Sequence, residues 1–266
     1  MMYRNMFCLF GILGLAACGG GGSDSGTTSA GNSLQDPYSS NSSDYQPSQL
    51  RSSFIYSNST ITGMGSPQNA TTIVGKLTYE RNSERDVYLT GEDRFVILVD
   101  GVEVLPEMSG SSYYTFNVSE YGNNYEITWY RGDDVIAQSS FDFVPQAFDI
   151  TSTYDGSAMN YTWSEQSNHI YTFVYPSLYC TKGNQSFNMS YSPTDDWRDN
   201  VVEGGSLSLE LDAAFNTSES TLRSQYDSCD STMDIIATRS DMTLVNSSPN
   251  MTVSVWAMTT DTQNIF

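Results

Sequence analysis

From about residue 70 onward, apolar and polar residues alternate two by two. The segments Thr71 to Tyr79, Arg94 to Val99, Tyr113 to Val118, Tyr125 to Tyr130 and Val135 to Phe143 all show it. A period of two places every second side chain on one face of a strand, whereas a helical face repeats about every 3.6 residues. Asp100-Gly101 separates Arg94–Val99 from Val102–Leu105, and Arg131 to Asp134 separates the last two segments. Asp-Gly suits the positive backbone angles of a type I′ turn, so the first of these pairs predicts a tight hairpin.

The same alternation resumes at Asp149-Ile150-Thr151, breaks at Asp155-Gly156, and continues over Ala158 to Trp163 and His169 to Cys180. Ser206 to Leu211 alternates strictly, which turns Leu207, Leu209 and Leu211 inward, and Thr232 to Arg239 and Met251 to Met258 supply further strands. Ser218 to Arg223 has room for one helical turn. Many short strands with turn signals between them predict an all-β chain of two tandem β-sandwich domains, over residues 53–145 and 146–266.

Before residue 53 the pattern is different. From Gly19 to Ser52 the chain is Gly, Ser, Thr, Asn and Asp with Pro37 and Pro47, which predicts a flexible tether. Ahead of it, Arg4 precedes the apolar run Phe7 to Leu15, a run too short to span a bilayer. Leu15-Ala16-Ala17-Cys18, followed by four glycines, resembles the lipobox of bacterial lipoproteins. That resemblance implies cleavage of residues 1–17, lipidation of Cys18, and a body held on the membrane by several acyl chains. Glycine rather than aspartate at position 19 resembles the outer-membrane sorting pattern.

Charge narrows the partners. The 266 residues include 31 acidic and 11 basic ones, for a net charge of -20, and Lys76 and Lys182 are the only lysines. Such a chain repels phosphate backbones, so nucleic acid is disfavoured as a partner. Aromatic residues make up 13%, too many for a chain that stays unfolded.

Of four cysteines, Cys8 falls in the leader and Cys18 in the lipobox, leaving Cys180 and Cys229. An exported compartment permits them to form a disulfide. Two free thiols or half of a metal site are the alternatives, and a zinc site is disfavoured by the absence of a second cysteine pair and by the single histidine. A bridge joins paired strands or staples a crossover, and the spacing does not choose between these.

The order of features in the two halves is similar to that of a known group. Tyr125 to Arg131 and Ser139 to Pro145 close the first half. Phe148-Asp149-Ile150, Tyr161-Thr162-Trp163-Ser164, Cys180, Gly205-Ser206-Leu207, Cys229 and Ile235 to Arg239 mark the second. This layout resembles uncharacterised outer-membrane lipoproteins of marine and environmental gammaproteobacteria that carry two immunoglobulin-like domains. The resemblance implies fold and location, and it brings no activity, cofactor or catalytic residue.

Candidate chemistry is sparse. His169 is the only histidine, and no Gly-x-Ser-x-Gly accompanies it, so it reads as a strand-packing residue before it reads as a catalytic base. Arg131-Gly132-Asp133 spells an adhesive tripeptide at an expected hairpin tip, yet Gly-Asp-Asp is also ordinary turn chemistry. Asp195, Asp196, Trp197 and Asp199 form the densest mix of carboxylate and aromatic surface. That mix suits calcium or a sugar, or equally a solvated loop. The expectation is a non-enzymatic envelope module, membrane-anchored, with another envelope protein as its partner and with no cofactor. A carbohydrate- or calcium-binding surface module is the alternative, and a glycan hydrolase using two carboxylates comes third.

Overall fold

The computed structural model describes residues 39–62, 68–79, 82–108, 112–118, 121–191, 196–246 and 248–266. The leader, the lipobox with Cys18, and the tether up to residue 38 lie outside the described residues, as does Asp195.

The described chain is an all-β sandwich. Its strands are β1 Leu50–Ile61, β2 Gln68–Tyr79, β3 Asn82–Val87, β4 Asp93–Val99, β5 Val102–Val104, β6 Glu107–Met108, β7 Tyr113–Asn117, β8 Asn124–Arg131 and β9 Asp134–Asp142. They continue with β10 Ile150–Tyr154, β11 Ala158–Trp163, β12 His169–Lys182, β13 Gln185–Ser190, β14 Val201–Val202, β15 Ser206–Glu210, β16 Ser228–Arg239, β17 Leu244–Asn246 and β18 Met251–Asn264. Two short helices, α1 Leu211–Phe215 and α2 Glu219–Gln225, stand between β15 and β16.

The largest sheet has ten strands and runs β13-β12-β16-β18-β1-β2-β7-β6, with β14 on β12 and β3 on β2. A five-stranded sheet, β17-β9-β8-β4-β5, and a three-stranded sheet, β10-β11-β15, complete the set. At the centre of the large sheet β1 lies parallel to β18, while its other neighbour β2 is antiparallel.

Two buried clusters fill the layers. Leu50, Phe54 and Tyr56 of β1 with Ile73 and Leu77 of β2 share the first with Phe95, Ile97, Tyr125, Ile127, Trp129 and Phe141 of the five-stranded sheet. Its rings meet edge to face, as for Phe54–Phe95 at 4.8 Å and Tyr56–Tyr125 at 5.1 Å. Phe54 lies across from Gly75 on β2, and a Cβ there would sit 2.5 Å from the ring, so only glycine leaves the space. The second cluster packs Met159, Tyr161 and Trp163 of β11 against Tyr171, Leu178, Cys180, Cys229, Met233 and Ile235, with Leu211 and Leu222 of the helices. Strand β18 feeds both, with Met251 and Val255 in the first cluster and Ala257 in the second.

Several expectations are met and others corrected. Asp100 and Gly101 take φ of 48° and 81°, as the Asp-Gly hairpin requires. Cys180 and Cys229 form a disulfide, and it joins positions directly opposite each other on the antiparallel pair β12–β16. Leu211 turns inward but begins a helix instead of ending a strand. The stretch 39–52, expected as tether, is folded. Tyr45 and Leu50 are buried, Asn41 bridges to Tyr88, and β1 has already begun at Leu50. Two well-placed apolar side chains and a set of carbonyl contacts to Arg131 hold this polar segment down, features too few to register in composition.

Candidate functional site

Between β13 and β14 the chain makes a short 3-10 turn at Trp197–Asp199. Both ends of the loop are pinned to β12: Tyr191 N–H donates to Pro176 O at 2.9 Å, and Phe173 N–H donates to Asn200 O at 3.2 Å. Asn200, itself buried, returns a bond from Nδ2 to Phe173 O. These two anchors flank an irregularity in β12 between Val174 and Ser177, where Tyr175 takes a positive φ of 28°. Asp196 spends its carboxylate on the turn, accepting from Arg198 N–H at 3.0 Å and from its guanidinium. The backbone N–H of Arg198, then its charge, hold Asp196 below the usual carboxylate range. Asp199 is exposed and gives its N–H to Asp196 O. The loop therefore carries Asp196 and Asp199, both exposed, on the turn that includes Trp197, with Asp196 already engaged. Among the described residues no three His, Cys, Asp or Glu side chains are grouped to hold a metal ion.

A second feature escaped the sequence reading. The outer face of the five-stranded sheet carries an open cleft of about 400 Å³, lined by Asp100, Asn124, Glu126, Ser140, Asp142 and Val245, among others. It is built by register: Glu126 stands opposite Ser140, and Ser140 opposite Val245 on β17. The strand that supplies its far wall comes from more than a hundred residues later in the chain, so no local pattern announces it. Asp100 accepts from Asn123 N–H at 3.1 Å and Asn124 N–H at 2.9 Å, and those amides hold its carboxyl low. Asp142 accepts from Thr243 N–H, which ties the third wall in place.

Arg131 does not project from its hairpin. Nε and Nη2 donate to the two oxygens of Asp93 at 3.0 and 2.7 Å, Nη1 donates to Tyr45 O at 2.8 Å, and Nη2 also donates to Ser42 O at 2.9 Å. The Asp93 side chain is fully buried and also takes the indole N–H of Trp129 at 3.0 Å. The tripeptide's arginine is a structural clamp, which removes the basis for an adhesive display.

His169 opens β12 with Nδ1 2.8 Å from Ser167 O, and since a carbonyl only accepts, Nδ1 is the donor. Its ring lies near Tyr171, at 6.2 Å between centroids, and no nucleophile is bonded to it. This is packing geometry.

The basic side chains are largely absorbed by the body's own groups. Lys76 faces Asp86, Arg223 pairs with Glu219, Arg239 with Asp241, and Arg94 lies 4.7 Å over the Tyr130 ring. The acidic excess is thereby left to the surface. No protein-family model matches the chain, and no curated protein matches it in sequence.

Proposed function

We propose that the protein is a lipid-anchored module of the bacterial outer membrane that binds or braces another envelope protein and has no enzymatic activity. The observation that carries this reading is the Leu15-Ala16-Ala17-Cys18 lipobox at the head of a chain whose body is a β-sandwich. The Cys180–Cys229 bridge supports an oxidising compartment, where such bonds persist. Internal pairing of the cations leaves a surface suited to a cationic protein face and unsuited to nucleic acid.

The test is metabolic labelling with an alkyne palmitate in the native host, followed by membrane fractionation and crosslinking. Label on the wild type, none on Cys18→Ser, and a fixed crosslinked protein lost with the anchor are expected. An unlabelled, freely released wild-type protein would end the reading.

A second reading is a carbohydrate- or calcium-binding surface module. The observation favouring it is that the Asp196–Asp199 turn runs directly into buried Asn200, which exchanges hydrogen bonds with Phe173 of β12 and so fixes where its carboxylates stand. If Asp196→Ala and Trp197→Ala leave glycan-array and calcium binding unchanged, this reading fails.

A further inference from the structure

Where the two apolar clusters meet, the inner face of the large sheet turns polar. Down β1 the inward positions after Tyr56 are Asn58 and Thr60, each 1% exposed. Down the parallel neighbour β18 the inward positions after Ala257 are Thr259 and Asp261, at 0% and 4%. The register sets Asn58 beside Ala257 and Thr60 beside Thr259. These side chains therefore form one continuous patch across two adjacent strands, with Gln263 next along β18. None of them belongs to either apolar cluster.

Only part of this patch is satisfied by protein. Thr259 donates to Phe148 O, in the segment that leads from β9 to β10. Thr62 Oγ1 donates to Asp261 Oδ1 at 2.6 Å. Both polar atoms of the Asn58 amide, Thr60 Oγ1, Asp261 Oδ2 and Gln263 Oε1 are buried with no hydrogen-bond partner among the described residues. Leaving a buried polar group unpaired costs stability, and leaving a charged one unpaired costs more. Five such atoms on one face would be a heavy penalty for a body of ordinary stability.

We infer that the Asn58–Thr60–Asp261–Gln263 seam is a binding site for internal water molecules, which bridge these side chains where the two clusters join. The donor and acceptor pattern selects water over a metal ion. Asp261 Oδ2 and Gln263 Oε1 only accept, Thr60 Oγ1 both donates and accepts, and Asn58 Nδ2 only donates. A cation would serve the acceptors, Asn58 Oδ1 among them, but would leave the Asn58 Nδ2 hydrogens and the Thr60 hydroxyl hydrogen without an acceptor, whereas a water molecule donates two hydrogens and accepts one or two. Beside the seam, Tyr161 OH of β11 and Ser231 Oγ of β16, the strand next to β18, share a hydrogen bond at 3.2 Å.

Two measurements on the folded chain test this. Oxygen-17 magnetic relaxation dispersion counts water molecules held longer than the protein's tumbling time. Relative to wild type, Asn58→Leu and Asp261→Asn/Thr60→Val should each lower the dispersion amplitude by about one water or more. A high-resolution crystal structure of the unaltered chain should show density within hydrogen-bond distance of Asn58 Nδ2 and Asp261 Oδ2, with distances typical of water. An unchanged dispersion in folded variants would overturn the inference. So would density at metal-ligand distances, or a seam in which the five atoms pair with protein instead. The crystal result decides the matter even if a variant does not fold.

Discussion

Arg131 closes one region of the molecule and the Cys180–Cys229 bridge closes another, and the two locks differ in kind. The arginine joins the early segment at Ser42 and Tyr45 to Asp93 and Trp129 through charge and hydrogen bonds, all of which exist only in the folded state. The disulfide joins β12 to β16 covalently across 49 residues of sequence and also restricts the unfolded chain. The first region is therefore held by packing geometry around a buried carboxylate. The second packs two short helices against its strands and adds a covalent bond that limits how far it can open.

Breaking the first lock should have the largest effect. Arg131→Ala leaves the Asp93 carboxylate buried beside Trp129 with its charge uncompensated, and a loss of about 3–5 kcal/mol is expected. Urea unfolding followed by tryptophan fluorescence measures it. Arg131→Lys should recover only part, since an ammonium cannot fork across two oxygens and two carbonyls at once.

Breaking the second lock should cost somewhat less. Cys180→Ala/Cys229→Ala is expected to lose about 2–4 kcal/mol, read by the same unfolding curves. Because β18 contributes to both clusters, either variant should shift one common transition. Two separate transitions would break the comparison by showing that the regions melt independently.

A smaller effect sharpens the role of the helices. Ser218 caps α2 by accepting from Thr221 N–H at 3.2 Å, so Ser218→Ala should cost about 1 kcal/mol, measured as a small shift of the thermal midpoint.

The smallest is a titration. Asp155 takes the N–H groups of Ala158 and Ser157 in the turn before β11, and those bonds bring its carboxyl down to about 2. A lowered carboxyl contributes stability that is present above the unfolded value of about 3.9 and is lost as pH falls through the folded value. Carbon-13 NMR of the carboxylates should place the Asp155 midpoint near that low value, and Asp155→Asn should abolish the acid-side change in the turn's amide shifts.

Much of the strand layout was legible because alternation is a local signal. The segments that form β4 and β8 carry apolar residues at every second position, those that form β9, β12 and β16 do so over part of their length, and Asp100-Gly101 fixed one turn by itself. Strand β1 was missed because its buried face changes character midway, from Leu50, Phe54 and Tyr56 to Asn58 and Thr60. The folded stretch 39–52 was missed because its hold depends on Arg131, some eighty residues away. The cysteine pair was readable as a candidate bond, but its place across adjacent strands depended on a register that spacing does not reveal. The cleft on the five-stranded sheet was hidden for a similar reason, since its walls come from turns and from β17.

The parallel contact between β1 and β18 bears on how the body responds to force. Ten residue pairs, from Ser52–Met251 to Ile61–Thr260, are held side by side. Pulling the amino-terminal end of β1 one way and the carboxyl-terminal end of β18 the other slides the strands along their length, so the load spreads over the whole ladder. A hairpin pulled from its open end would instead part bond by bond like a zipper. A load applied between the start of β1 and the end of β18 would thus meet resistance along the whole pair, and β18 would carry it into both cores.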